Sequence, residues 1–211
     1  LKYGVSSLSE VSNTGRRTQK ERKAAAVEKL INATINTIIE VGYHGTSLSV
    51  ICKAAGISQG GLFRHFPTRK ALIIAAAAVV NERLVNRFLL GFQNRDFSEN
   101  VMEVMVNLLR DDLLSAEQSV WQELSVAART DPELCSALAE HEHKMNEGIR
   151  DVSNAMAPQL GLDSEELFTA ILLAIRCFDG LSLINCLYDK PKEPEAIRQL
   201  LIRGAKGLKR G

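Results

Sequence analysis

The chain has no uninterrupted apolar run approaching the roughly 18 residues that a membrane helix needs, so the sequence predicts no membrane span. It opens without the apolar core of an export signal, which points to a cytoplasmic protein. Aromatic residues are scarce, at 5% with a single Trp, so the core must be built from aliphatic side chains. The four cysteines, at 52, 135, 177 and 186, form no C-x-x-C pair and no metal-ligand spacing. They read as reduced thiols on helices rather than a disulfide frame. There is no phosphate-binding glycine loop, no nucleophile–base motif and no catalytic carboxylate pair, and nothing calls for a cofactor. His141, Glu142 and His143 invite a metal reading, but positions 141 and 143 point to different faces of a helix. Met145 occupies the place where a second ligand would complete the site. No strand alternation and no internal repeat stands out.

A formal net charge of +1 conceals a strong asymmetry. Residues 1–90 hold 13 Lys/Arg and 5 Asp/Glu, a net of +8, while residues 91–211 hold 13 and 20, a net of −7. A basic first part beside an acidic remainder suggests that the first part meets a polyanion.

What the sequence does contain is helical periodicity. A first helix is predicted over 21–41, with Val27, Leu30, Ile31, Thr34, Ile38 and Val41 on its apolar stripe and Gly42 as its cap. Residues 46–72, TSLSVICKAAGISQGGLFRHFPTRKAL, carry Leu48, Ile51 and Ala55 at helical spacing, then Gly56 at a sharp turn. Ser58 is a cap for a second short helix with Leu62, Phe63 and Phe66, and Pro67 stops it. This is a helix-turn-helix, whose second helix can enter a DNA major groove. A long helix follows over 68–90, then a boundary loop at 91–97. Five more helices are predicted over 98–115, 117–130, 132–156, 163–188 and 193–208. Asp131-Pro132 opens the third of these five, and Pro158 with Gly161 closes it.

The stretch 46–72 resembles the DNA-binding region of the tetracycline-repressor (TetR) family of bacterial transcription regulators. The residues that carry the resemblance are Thr46, Ile51-Cys52-Lys53-Ala54-Ala55-Gly56-Ile57-Ser58, Gly60, Leu62-Phe63, His65-Phe66, Arg69 and Leu72. Cys52, Phe63 and Arg69 depart from the usual Ala, Tyr and Lys, and the tandem Gly60-Gly61 is loose for a helix. The resemblance implies an all-α fold of about nine helices. It divides the chain into a basic-ended arm (1–20), a three-helix DNA-binding head (21–68) and a connecting helix with a ligand-binding and dimerisation domain (69–211). Later in the chain only the helix layout and Asp179-Gly180-Leu181 agree.

On this reading Gln59 is the first choice for base contact, through a bidentate bond to adenine. Gly60 and Gly61 let the backbone approach, with Gly61 clearing a thymine methyl. Arg64 meets a phosphate or a guanine edge, and His65 a phosphate. Arg69 and Lys70, at a helix N-terminus, are assigned to phosphates, as are Thr46 and Ser47. Ser58 and Phe63 complete the set. Arg16 and Arg17 in the arm either reach phosphates or the minor groove, or remain a solvated tail.

The family implies pairing of the last two helices with a second copy. The stripe Leu167, Ile171, Ile175, Phe178 and Leu181, with Ile197, Leu200, Leu201 and Leu208, is the candidate interface. It also implies a small apolar or amphipathic effector. Candidate walls are Met102, Met105, Val106, Leu109, Trp121, Leu124, Phe168 and Leu172, although plain core is the stronger reading of each one. Arg176 either binds an anionic ligand or, as the spacing favours, pairs with Asp179. The expected function is a ligand-responsive regulator, a repressor released from a palindromic operator. The alternative is a DNA-bound adaptor whose acidic second part recruits a protein.

Overall fold

A computed structural model of the chain describes residues 18–93, 101–113, 115–184, 187, 193–205 and 207. Among these there are nine helices and no strand. Arg16, Arg17, Cys186 and Leu208 lie outside the described residues, as does the side chain of Met102.

Local chemistry accounts for most helix boundaries. α1 (Gln19–Gly45) starts at a capping box: Glu21 N donates to Thr18 Oγ1 at 3.2 Å and Thr18 N to Glu21 Oε2 at 2.8 Å. Its regular part breaks at Gly42, with φ 74° and ψ 169°. Of the predicted stripe, Val41 is instead exposed, and Ile35 takes the buried place beside Ile38. Val41 lies one residue before the break, at the exposed end of the regular helix.

α2 (Leu48–Ala55) is capped by Ser47 and ends at Gly56 in the left-handed region, with φ 57°. α3 (Gln59–Phe63) is capped by Ser58. Thr68 Oγ1 accepts from Ala71 N at the start of α4 (Arg69–Gln93). α5 (Val101–Leu113), α6 (Ala116–Ala128), α7 (Pro132–Leu160), α8 (Ser164–Ile184) and α9 (Glu193–Ala205) follow. α7 runs through Pro158 to Gly161, past the predicted end at 156. A proline so near the end removes only one donor from the ladder, and Gly161 then supplies the left-handed cap.

Three apolar clusters fill the protein. Leu30, Ile51, Ala55, Leu62, Phe66 and Leu72 join α1 to α4 in the basic part. Ile35, Ile38, Ile73, Ala77, Val80, Val120, Leu124 and Leu134 form a middle cluster from α1, α4, α6 and α7. The third gathers α5, α7, α8 and α9 around Leu109, Ile149, Ile171 and Phe178. α1 and α4 each contribute to the first two clusters, so movement of one is felt in the other. α8 is long and apolar enough to cross a membrane by length and composition alone, a test that the core helix of a soluble protein also passes. Its inward stripe is core, and Arg176 and Asp179 interrupt it.

The break at Gly42 is gripped from α6. The Tyr43 amide donates to the Glu123 carboxylate, and a Cβ at position 42 would meet Glu123 Oε2 at 3.1 Å. This φ/ψ combination is essentially open only to glycine. Gly42→Ala is therefore expected to cost about 1–3 kcal/mol in chemical denaturation. An unchanged midpoint would show that the link rearranges freely.

Candidate functional site

α3 commits one side chain, Leu62, fully to the core. Gln59, Gly60, Phe63 and Arg64 are all exposed. Phe63 is 49% exposed, a large apolar side chain with no folding task. Ser58 is exposed too, its Oγ accepting from Gly61 N at 3.1 Å. A Cβ on Gly60 would meet nothing within 4 Å, so the space in front of that residue is open. Gly61 is different: a Cβ there would lie 2.9 Å from Ile57 Cγ2. Its lack of a side chain serves the turn itself rather than clearance for a base. His65 is half-buried in the turn after α3, and its Nδ1 has no hydrogen-bond partner among the described residues. Lys29 and Lys53, exposed near Gly56, add positive charge that the sequence reading did not single out.

Several residues assigned to phosphates are occupied within the fold. Thr46 is fully buried, and its hydroxyl donates to Gly42 O at 2.7 Å. Ser47 Oγ accepts from Val50 N at 3.4 Å and pairs with Ser49 Oγ at 2.8 Å. Arg69 Nε donates to Thr46 O at 2.6 Å and its Nη2 to Tyr43 O at 2.7 Å. The guanidinium also stacks over the Tyr43 ring, 4.6 Å from its centre. Lys70 Nζ lies 2.9 Å from Asp131 Oδ2 and 3.1 Å from Glu133 Oε2. The bond to Asp131, then that to Glu133, holds this ammonium above its ordinary pKa. For Thr46, Arg69 and Lys70 the physical reason is the same: neighbouring polar groups of the fold satisfy them first. Arg69 and Glu123 together hold the α1–α2 link, from α4 and α6 respectively.

A cavity of about 60 Å³ lies among α4, α5, α6, α7 and α8. Its apolar walls include Leu84, Val85, Phe88, Leu109, Trp121, Met145, Ile149 and Ile175. One side is polar: Asn81, Gln118, Arg176 and Asp179. Gln118 Nε2 donates to Asp179 Oδ1 at 2.7 Å, and Arg176 Nη1 to Asp179 Oδ2 at 3.2 Å. Arg176 also pairs with Glu142. Burial pushes the Asp179 carboxyl above the ordinary range, and Arg176 opposes that shift. Of the predicted walls, Leu109, Trp121 and Arg176 face this cavity. Leu124 does not, being sealed in the middle cluster, and Phe168 lies under Arg150, 4.0 Å from its guanidinium. Leu172 packs against the third cluster and does not line this cavity. Arg176 is held in ion pairs, as the i+3 spacing favoured, and is not free for an anion.

A second, larger space is an open apolar groove of about 750 Å³ between α5, α8 and α9. Met105 and Val106 line it, with Leu109 shared. So do Thr169, Leu173, Cys177, Ile197, Leu200 and Leu201. The predicted interface stripe needs correcting here. Leu167, Ile171, Ile175 and Phe178 are all at most 6% exposed, and Leu181 packs on the same core. They pack in the core with α5 and α7, although Leu167 and Ile171 also line this groove, as do Ile197, Leu200 and Leu201 of the predicted set. The outward apolar side chains are Leu173 at 57%, Leu183 at 55%, Ile184 at 40% and Leu200 at 62% exposed. Arg198 fixes α9 on α5, bonding Asn107 Oδ1 at 3.0 Å and Glu103 Oε1 at 3.4 Å.

Residues 30–83 match the family model described as bacterial regulatory proteins, tetR family. Over 179 residues the chain is 32% identical to an uncharacterized HTH-type transcriptional regulator of Mycobacterium tuberculosis, covering 85% of this chain and 92% of that one. A crystal structure of a transcriptional regulator from Rhodococcus sp. Rha1 superimposes with a TM-score of 0.66 at 25% identity, covering 84% of this chain and 94% of that one. A regulator from Saccharomonospora viridis, solved in complex with choline, gives a TM-score of 0.70 at 16% identity, covering 89% and 100%. At that identity the last likeness shows the fold alone.

Proposed function

The chain belongs to the tetR family of bacterial regulatory proteins, and we propose that within it this DNA-binding transcriptional regulator is a homodimeric repressor, released from a palindromic operator by a small molecule. The observation that carries the DNA side is the exposed edge of α3, where Gln59, Gly60, Phe63 and Arg64 face outward with no role in the core. One five-residue helix offers few base contacts, so a selective operator calls for two copies and two half-sites. The open groove beside Leu173 and Leu200 is apolar, and a second copy would cover it. That occupant also removes the need for a separate recruited protein.

The effector side rests on how the cavity is walled. α4 contributes Asn81, Leu84, Val85 and Phe88, and α6 contributes Gln118 and Trp121. The same two helices hold the α1–α2 link through Arg69 and Glu123. A ligand that binds more tightly when α4 and α6 are spread would shift the link and the spacing of the two α3 helices. Only that difference in ligand affinity between the two arrangements can drive release. The effector is apolar in most of its surface, to match the cavity walls.

Duplex binding to the protein's own upstream DNA across a salt series tests this reading. Gln59→Ala is expected to cost about 1–3 kcal/mol of discrimination at one base pair and leave the salt slope unchanged. Arg64→Ala at a phosphate lowers the slope by about 1, whereas at a guanine edge it relaxes specificity. Sequence-independent binding by the wild-type dimer would sink the operator reading.

A further inference from the structure

We infer that the cavity among α4–α8 takes an uncharged molecule with a flat or branched apolar body and one hydroxyl-type head group. The inference rests on the effector-controlled reading above and names the chemistry of that effector.

The argument starts from unused hydrogen-bonding capacity. Asn81 is 7% exposed and lines the cavity, yet its amide has no hydrogen-bond partner among the described residues. Gln118 is 4% exposed, and its only side-chain bond is the one its Nε2 donates to Asp179. One carboxamide on the cavity wall is therefore unbonded to the described residues, and the carbonyl of another is as well. Neither is among the sealed polar atoms left without a partner, so both open onto the cavity, where a ligand or water can complete them. A hydroxyl can accept from the Asn81 amide and donate to the Gln118 carbonyl, which gives each side chain one bond from a single group.

Charge on the ligand is disfavoured on either sign. Among the described residues Arg176 is the only cation lining the cavity, and Glu142 and Asp179 already hold it. Those three groups together carry one negative charge, so a carboxylate would meet no free cation. An ammonium would find both Asp179 oxygens engaged, by Gln118 and Arg176, while losing its own hydration. The remaining wall is apolar, with Phe88 and Trp121 able to bracket a ring.

Size is set by what can yield. About 60 Å³ is well below the roughly 150 Å³ of an apolar cavity that takes up benzene, so a ring enters only if the walls yield. Met145 is an adaptable wall residue. Gly148 contributes no side chain, and a Cβ there would meet nothing within 4 Å. The α7 wall is thus kept open at that position, and filling it strains nothing.

Trp121 is the only tryptophan, so its fluorescence reports the cavity directly. The probes are 4-ethylphenol, 4-ethylbenzoate, 4-ethylbenzylammonium and ethylbenzene, titrated into the full-length dimer. Saturable quenching by 4-ethylphenol, at least tenfold tighter than by either charged analogue, is expected. Gly148→Leu should abolish it while retaining the fold and duplex binding, since leucine is the better helix former. Asn81→Ala should erase the preference for 4-ethylphenol over ethylbenzene. A charged analogue binding as well as the phenol, equal binding by Gly148→Leu, or no quenching by any probe would overturn the inference. Phenol binding in the cavity that leaves duplex affinity unchanged supports the ligand class and instead overturns effector-controlled release.

Discussion

Replacing Arg69 by lysine is expected to weaken duplex binding almost as far as replacing it by alanine. If this side chain served a phosphate, lysine would keep the charge and most of the affinity. Its position in the fold gives it a different task. The guanidinium spans two carbonyls, at Tyr43 and Thr46, and stacks on the Tyr43 ring. Lysine can neither fork to two acceptors in a plane nor stack in that way. Losing charge-assisted bonds to half-buried carbonyls costs about 1.5–3 kcal/mol each, discounted where water can replace them. Both variants should therefore lower the unfolding midpoint by a similar amount. The salt slope separates the two roles: loss of a phosphate contact reduces it by about 0.9, while loss of a positioning residue leaves it unchanged. A lysine variant with wild-type melting and wild-type affinity would return Arg69 to the DNA surface.

Arg69 also illustrates why some of the site was hidden in the sequence. A basic residue opening a helix beside a DNA-reading motif looks like a phosphate ligand. The carbonyls that claim it lie 23 and 26 positions earlier in the chain, and only the fold brings them back. The helix boundaries were legible for the opposite reason. Gly56, Ser58, Asp131 and Gly161 act on their own neighbours, so their effect can be read locally. Gly42 was legible as a helix end, but its grip by Glu123 of α6 was not. Asn81 is an intermediate case. It interrupts the apolar stretch of α4 after Val80, and a polar residue on such a face was a signal that could have been followed to the cavity.

The outward face of α8 was the largest misreading, and it leads to the other prediction of large effect. Both faces of this helix are apolar, so periodicity alone cannot say which one meets the core. Ile171 is 1% exposed and Leu173 is 57% exposed, although only two positions separate them. Two positions turn a helix by about 200°, so one side chain is sealed against the core and the other exposed, although both border the α5–α8–α9 groove. Leu173→Glu should leave each protomer folded, because its side chain is surrounded by solvent in the isolated chain. In a dimer built on the α8–α9 groove, the new carboxylates would be buried without partners, and association should fail. Sedimentation should then report a folded monomer with unchanged helical circular dichroism. Operator affinity should fall by about 10²–10⁴, the gain that linking two half-site readers normally provides. Ile171→Glu is the contrasting case: it places a charge in the core against α5 and α7, and loss of the fold itself is expected. If Leu173→Glu remained dimeric and still bound its operator, the two copies would have to meet elsewhere. The groove beside Leu173 and Leu200 would then be open to a different partner, which is what the adaptor reading requires.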